Sequence, residues 1–160
     1  RKRFGVLLNQ DVKFNVVLSN LRRLTSKLGF VNTSKTKGLS NDAVKNLSIR
    51  TPSIDQMVKN LSGGNQQKVV IGKWLTRETD ILIFDEPTRG IDVGAKDEVY
   101  KLLNELAKQG KSIIMISSEL PEILRMSDRI MVMCEGRLTG ILKNKEADQN
   151  LIMQYATKYR

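Results

Sequence analysis

Histidine is absent from this chain of 160 residues, and cysteine occurs only once, as Cys134. The absence of histidine removes the most common general base and the most common metal ligand. A single cysteine excludes an internal disulfide and favours a reducing compartment such as the cytoplasm. No apolar run approaches the roughly 20 residues that a membrane-spanning helix needs. Any membrane role is therefore expected to be peripheral.

Aromatic residues are also scarce, at 5%, whereas positive charge is abundant. The 27 lysines and arginines outnumber the 17 aspartates and glutamates, which gives a formal net charge of +10. This charge suits anionic partners such as nucleotides, nucleic acids or lipid headgroups. The basic residues are scattered with few aromatics among them, however, which favours a solubilising surface. The chain shows no signal-peptide pattern and begins with Arg1, which suggests a piece of a longer protein.

Apolar periodicity and turn residues predict helices in the first half of the chain, and strands alternating with helices after about residue 80. The predicted helices cover residues 15–28, 42–48, 65–76, 92–109, 121–126 and 147–158. Segment 31–40 is predicted to be a loop, and Ser53 a helix N-cap. Buried strands are predicted at 81–84 and 112–116. Two further strands, 129–134 and 137–142, are expected to form a hairpin around Glu135-Gly136.

The segment ILIFDEPT, residues 81–88, places two adjacent carboxylates at the end of a predicted buried strand. The carboxyl ends of strands are where open α/β sheets bind ligands. At such an edge Asp85 can hold Mg²⁺ through its water shell, and Glu86 can orient or deprotonate a water molecule. Taken alone, the segment is equally compatible with an acidic pair that merely ends a strand.

The segment LSGGNQQ, residues 61–67, places Ser62 and two glycines directly before a predicted helix. Glycines let backbone N–H groups approach a ligand closely, and a helix N-terminus favours anions. A plain serine N-cap with glycine turn residues would give the same pattern.

A third segment, GFVNTSKT at residues 29–36, has the spacing of a phosphate-binding loop but not its second glycine. Ser34 occupies the place of that glycine. A working loop follows a buried strand and begins a helix. Here a helix is predicted before Gly29, and no helix is expected to begin promptly after Thr36. The segment is therefore interpreted as a chance similarity.

Taken together, LSGGNQQKV, ILIFDEPT and RGID (residues 89–92) resemble the signature motif, Walker B segment and D-loop of ABC transporter ATP-binding domains. The run 86–96 and the segments 112–124 and 128–142 are more narrowly similar to the second ATP-binding domain of bacterial sugar importers. Those importers serve ribose, galactoside, xylose or arabinose uptake, and the galactoside type is the nearest. The similarity covers most of residues 1–142.

The resemblance implies ATP and Mg²⁺ as cofactors and a role for each matching residue. Glu86 would be catalytic, Asp85 would position Mg²⁺ through water, and Ser118 would occupy the switch position. The signature residues would contact nucleotide, and the D-loop residues would couple two sites; these are Ser62, Gly63, Gly64, Asn65 and Gln66, then Gly90 and Asp92. Members of the family usually have a histidine where Ser118 stands, which places hydrolysis at this site in doubt.

The fold implied by the resemblance is α/β, a partial ABC ATPase domain of the P-loop NTPase class without its phosphate-loop strand, joined to a helical subdomain. The expected boundaries are 1–78 for the helical subdomain with the signature helix, 79–143 for the second half of the core sheet, and 144–160 for a terminal helix. The phosphate loop and Q-loop are expected before residue 1. The isolated chain is then expected to expose apolar sheet edges and to be marginally stable.

The implied function is that of an ATP-hydrolysing subunit of a sugar importer, peripheral to the cytoplasmic face of the membrane. Its expected partners are a second ATP-binding domain, permease subunits and, indirectly, a sugar-binding protein, with no nucleic acid. One alternative is a non-catalytic chain that only completes a partner's ATP site, and the chain alone is expected to be inactive. The other is a soluble ABC-type ATPase acting on DNA, which the absence of long coiled coils and zinc-binding cysteines disfavours.

Overall fold

The computed structural model describes residues 5–77 and 79–159. The sequence also predicts a short basic lead-in to an apolar strand or turn at residues 1–8, and the first four of these lie outside the described residues. The elements, in chain order, are α1 (Val12–Val17), α2 (Leu21–Leu24), α3 (Thr33–Asn46), α4 (Gly63–Leu75), β1 (Ile81–Asp85), α5 (Val93–Lys108), β2 (Ser112–Ile116), α6 (Leu120–Met126), β3 (Arg129–Cys134), β4 (Arg137–Lys143) and α7 (Gln149–Ala156). Short 3-10 segments lie at Leu18–Asn20, Val58–Asn60 and Asn144–Glu146.

The chain forms two compact units. The first extends to Leu82 and resumes over Thr88–Ile113, and the second comprises Ile83–Pro87 and the chain from Ile114 onwards. The domain boundaries expected from the sequence stay predictions.

Helices α1, α3 and α4 pack together in the first unit, with valines and isoleucines fully buried between them. Asp11 begins α1, because its carboxylate accepts a hydrogen bond from the Phe14 N–H at 2.6 Å. The buried amide of Asn15 then holds the preceding segment by exchanging two hydrogen bonds with the main chain of Leu7, at 2.8 and 3.0 Å. The predicted helix 65–76 is confirmed as α4.

Helix α3 corrects the prediction of a loop over 31–40. Asn32 begins this helix by accepting a hydrogen bond from the Lys35 N–H at 2.9 Å. The helix was hard to detect because it is mostly polar, with only Thr36 and Ser40 buried. The predicted helix 42–48 is the end of α3, which the left-handed Ser48 (φ 49°) follows.

The helix predicted over 15–28 is also shorter than expected and interrupted. A 3-10 turn separates α1 from α2, and α2 ends at Leu24. Thr25 then becomes extended and pairs with Val31 around a turn in which Gly29 adopts φ 85°. Leu28, the last residue of the helix predicted from apolar periodicity, is consequently 84% exposed.

Segment 29–36 therefore differs from the prediction in one respect. A helix does begin there, because Ser34 and Lys35 lie in the first turn of α3. The segment before it is a turn after α2 and not a strand, and the side chain of Asn32 already binds the Lys35 N–H. That the segment is a chance similarity stays a prediction.

Ser53 does not begin an α-helix. Its hydroxyl accepts the Asp55 N–H at 3.2 Å within a turn, and the helical part of this segment is the 3-10 turn Val58–Asn60.

Strands β1 and β2 are confirmed, but the expectation that they are buried is wrong. They run parallel, since Ser112 N–H donates to Asp80 at one end and Glu86 N–H donates to Ile116 at the other. Isoleucines on both strands are between 43% and 65% exposed, namely Ile81, Ile83, Ile114 and Ile116. Within the described residues this sheet has two strands only.

The second unit is organised around the predicted hairpin of β3 and β4, which is confirmed. Glu135 (φ 47°) and Gly136 (φ 74°) form its turn, the left-handed pair that two-residue hairpins favour. Ile130 and Val132 face a small core with Ile152 of α7. The terminal helix is confirmed as α7, two residues shorter at each end than predicted.

The exposed isoleucines predict self-association of the isolated chain. Replacing Ile83 and Ile114 by Thr should raise the monomer fraction in sedimentation velocity, because threonine keeps strand propensity while removing apolar surface. Val93→Thr is the matched control, since Val93 is 81% exposed but lies at the start of a helix. A monomeric unsubstituted chain with a cooperative thermal transition would contradict this prediction.

Candidate functional site

Ser62 is the N-cap of α4, as the N-cap interpretation requires. The residue is exposed. Its hydroxyl accepts hydrogen bonds from the backbone N–H of Asn65 at 3.4 Å and from the Asn65 side-chain amide at 2.8 Å. The other end of that amide accepts the Arg50 N–H at 2.8 Å. Asn65 therefore ties the start of α4 to the segment that follows α3.

Gln66 is also buried, with 7% exposure. Its side-chain nitrogen donates to the carbonyls of Leu61 at 3.0 Å and Val58 at 3.3 Å. The side-chain amides of Asn65 and Gln66 thus make hydrogen bonds inside the first unit. Ser62, by contrast, is exposed and Gly63 is half-buried.

Gly64 allows α4 to approach α5 closely. A Cβ atom at position 64 would lie 2.8 Å from the Cβ of Ala95, closer than two such carbons can come. One turn further along both helices, the ammonium group of Lys68 lies 2.9 Å from the carboxylate of Glu98. Arg50 contacts the same carboxylate at 3.2 Å. Helices α4 and α5 therefore contact each other at two successive turns, first through Gly64 and Ala95 and then through Lys68 and Glu98.

Lys68 is buried with 5% exposure, so its charge depends on these partners. It also donates to the carbonyl of Ser48 at 3.0 Å. The hydrogen bond from Lys68, followed by its charge and that of Arg50, lowers the pKa of Glu98 below the ordinary glutamate value.

The segment RGID forms the turn that leads into α5. Gly90 adopts φ 71°, a conformation that glycine enters without strain. Asp92 is the N-cap of α5 and accepts the Ala95 N–H at 2.8 Å. The predicted cap is confirmed. Because Ala95 is also the residue that Gly64 contacts, the signature segment and the start of α5 lie side by side in the first unit.

In the second unit, β1 ends at Asp85 and the chain turns at Glu86. Asp85 is exposed, and its carboxylate has no ion pair within the described residues. Glu86 adopts φ 47°, which is uncommon for a residue with a side chain. Its N–H donates to the Ile116 carbonyl at 2.9 Å, and its carboxylate accepts the backbone N–H of Ser118, also at 2.9 Å. The structure thus brings Glu86 and Ser118 together.

Comparison with known proteins decides the family. The profile of the ABC transporter family matches residues 1–89. The chain belongs to the ABC transporter family. It is 57% identical over 158 residues to a Burkholderia ambifaria protein that is provisionally named ribose/galactose/methyl galactoside import ATP-binding protein 3. It is 52% identical over 159 residues to the ribose import ATP-binding protein of Clostridium tetani.

Each of these alignments covers 99% of this chain, but only 31% and 32% of the relatives. The chain thus spans about a third of the length of the ABC transporter proteins that it matches.

Solved structures agree with the expected fold. An ATP-binding cassette of an ABC transporter in its ADP conformation superposes with a TM-score of 0.73, covering 96% of this chain and 61% of that one, at 20% identity. A dimeric cassette in a post-hydrolysis state with ADP and phosphate gives 0.72, covering 90% and 61%, also at 20% identity. The α/β fold of the ABC ATPase cassette is therefore confirmed, as a part of that domain.

Asp85 offers one exposed carboxylate, which suits Mg²⁺ of the kind that accompanies ATP. No cluster of three acidic or sulfur ligands occurs among residues 5–77 and 79–159. Mg²⁺ in nucleotide sites is commonly held by one or two carboxylates together with water and phosphate oxygens. An exposed, unpaired aspartate meets that need. In the described part of the chain, no helix is long and apolar enough to cross a bilayer.

Several residues around the site were not identified from the sequence. Lys68, Glu98 and Arg50 are separated by up to 48 positions, and nothing in their local pattern marks them as partners. Ser117 and Glu122 beside the switch position were likewise missed. They are five positions apart, which is not the three-residue spacing of a capping box, so no standard pattern marks them as partners.

The Lys68–Glu98 contact predicts a pH-dependent stability. Glu98→Gln should lower the free energy of unfolding by about 1 kcal/mol at pH 7, since Glu98 is 37% exposed and solvent screens part of the attraction. The lowered pKa means that this contribution exists above the ordinary glutamate pKa and is lost as pH falls through the folded value. The penalty should therefore shrink progressively as pH falls below the ordinary glutamate pKa of about 4.3.

Urea unfolding followed by fluorescence of Trp74 measures this difference, because Trp74 is the only tryptophan and belongs to α4. The control is Glu105→Gln, which removes the exposed pair of Glu105 with Lys108 and should change little. An equal penalty for Glu98→Gln at pH 3.5 and pH 7 would refute the assignment.

Proposed function

We propose that this chain supplies the signature and Walker B part of an ATP-hydrolysing subunit that drives sugar import. The observation that carries the proposal is its 50% to 57% identity, over 99% of its length, with proteins named for ribose, galactose and methyl galactoside import. The arrangement around Glu86 supports the hydrolytic part of this role. The names of these relatives also favour transport over the alternative of an ATPase acting on DNA.

Two sets of residues would contact two different nucleotides, one bound mainly by the partner domain and one at the chain's own site. Ser62, Gly63 and Gly64 lie at the start of the 13-residue helix α4, where the positive end of the helix dipole favours phosphate oxygens. They would contact a γ-phosphate bound mainly by the partner domain. Asp85 would hold Mg²⁺ through water, which is consistent with its exposure and lack of an ion pair.

Asn65 and Gln66 would act indirectly, through hydrogen bonds inside the first unit. Their amides hold the main chain on either side of the motif, so they would shape the signature loop more than touch nucleotide. Gly90 and Asp92 would couple the two ATP sites across the interface between domains. The close contact of Gly64 with Ala95 supports this, since it joins the signature segment to the helix that Asp92 begins.

Glu86 would orient the attacking water and accept its proton. When bound, ATP with Mg²⁺ supplies the phosphoryl group that is transferred in line to water. The carboxylate of Glu86 is held by one N–H donor, so one oxygen is fixed and the other is available to a water molecule.

The proposed partners are a second ATP-binding domain, permease subunits in the membrane and, indirectly, a sugar-binding protein. Docking would place the chain at the cytoplasmic face of the membrane. One structural neighbour is a dimeric cassette with ADP and phosphate, which supports a two-domain site. No role for nucleic acid is proposed.

A test of catalysis needs the whole subunit. The hybrid protein is defined here as the Burkholderia ambifaria relative with this chain in place of its 158 aligned residues. Glu86→Gln in the hybrid protein should lower ATP turnover at least tenfold and abolish uptake of labelled ribose or galactose, because a neutral amide cannot accept the proton of water. Glu135→Gln is the matched control, a glutamate with the same φ of 47° in a hairpin turn. Unchanged turnover in Glu86→Gln would remove Glu86 from the catalytic role.

The non-catalytic alternative concerns the isolated chain. None of the 160 residues form a complete GxxxxGK[ST] loop, and Ser118 can donate one hydrogen bond but cannot become a cation. We therefore expect no ATP binding by the isolated chain at micromolar concentration, measured by calorimetric titration. Micromolar ATP binding by the isolated chain would contradict this expectation.

A further inference from the structure

The contact between Glu86 and Ser118 raises the question of what keeps Glu86 in place in a chain without histidine. Glu86 is bound twice to segment 116–118, which comprises the last residue of β2 and the two residues after it, once through its own N–H to Ile116 and once through its carboxylate to the Ser118 N–H. Both contacts use main-chain groups of that segment. The orientation of the carboxylate therefore depends on the path of the backbone through residues 116–118.

The side chain of Ser117 is the group that holds this path. Its hydroxyl donates a short hydrogen bond to the carboxylate of Glu122 and accepts the Glu119 N–H at 3.1 Å. The residue next to Ser118 is thereby tied forwards to the first turn of α6. A hydroxyl that is donor and acceptor at once makes two contacts with the segment that follows it.

Glu122 provides the fixed end of this connection. It lies in the first turn of α6 and is only 3% exposed, although it carries a carboxylate. Burial of a carboxylate is costly unless it is hydrogen-bonded, so its bond with Ser117 is not exchanged freely for water. A carboxylate in the first turn of a helix is also favoured by the helix dipole.

We propose that Ser117 and Glu122 are positioning residues for Glu86, and that they act by aiming the backbone N–H of Ser118 at its carboxylate. The inference rests on the proposed function, since it concerns the residue assigned to water activation. In this chain, which has no histidine, the backbone N–H of Ser118 is the donor that holds the Glu86 carboxylate in place. Neither Ser117 nor Glu122 touches nucleotide in this account.

Substitutions of Ser117 in the hybrid protein test the proposal. Ser117→Ala should lower kcat for ATP hydrolysis about tenfold with KM for ATP unchanged within twofold, because misorientation affects the chemical step and not nucleotide binding. Ser117→Thr retains the hydroxyl and should recover most of the loss. Ser127→Ala, at the other end of α6, is the matched control and should leave kcat unchanged.

A second measurement reports on the geometry without using activity. Hydrogen exchange at the Ser118 amide, resolved by mass spectrometry, should be about tenfold faster in Ser117→Ala and in Glu122→Ala than in the unsubstituted hybrid protein. Glu86→Ala should have the same effect, since it removes the acceptor. Ser127→Ala should not change this exchange rate.

The two proposals fail in different ways. If Glu86→Gln leaves turnover unchanged, the proposed catalytic role is wrong, and the exchange rates alone decide the positioning role. If Glu86→Gln abolishes turnover while Ser117→Ala leaves kcat and Ser118 exchange unchanged, the positioning role is overturned. In the Glu86→Gln background, a further loss of kcat from Ser117→Ala would also overturn it, because residues acting through one group are not additive.

Discussion

The burial of helix α4 is the constraint on which the first unit depends. Nine of its thirteen residues are buried, and they include the polar side chains that follow the signature glycines. Hydrogen bonds and an ion pair offset most of the cost of this burial, since the amide of Asn65 bonds Arg50, the side-chain nitrogen of Gln66 bonds Leu61 and Lys68 pairs with Glu98, whereas the side-chain oxygen of Gln66 is buried without a partner. Gly64 adds a steric requirement, since a side chain there would collide with Ala95. The motif is therefore part of the core of its own unit as well as a candidate phosphate contact.

In the second unit, the candidate site around Glu86 is positioned mainly by main-chain groups. The groups that bond Glu86 are main-chain groups at the end of β2 and just after it, namely the Ile116 carbonyl and the Ser118 N–H, and the side chains of Ser117 and Glu122 lie behind them. A backbone N–H remains whatever side chain a position carries, so the lack of histidine does not remove a hydrogen-bond donor from this place. What it removes is a group that could become positively charged. A carboxylate that is held by a neutral amide keeps a free oxygen for water.

The elements that could be predicted are those with strong local signals. The cap Asp92, the double glycine before α4 and the Glu135-Gly136 turn each mark their element, and the apolar runs of β1 and β2 mark strands. Helix α3 lacks such a signal, because a polar helix with two buried residues has no apolar stripe to read. The burial of β1 and β2 was predicted from composition, yet composition does not reveal which neighbouring strands are present.

The sequence by itself determined the family, the order of the motifs and the chemical type of the residues at the candidate site, since these depend on residue identity and spacing alone. Only the tertiary structure decided which side chains complete that site. Arg50, Lys68 and Glu98 meet because α4 and α5 approach closely, and Ser117, Glu122 and Glu86 are connected because β2 lies beside β1. The contacts of Glu98 with Lys68 and Arg50 and of Glu86 with Ser118 join residues 30 to 48 positions apart, so they follow from packing and local sequence carries no record of them.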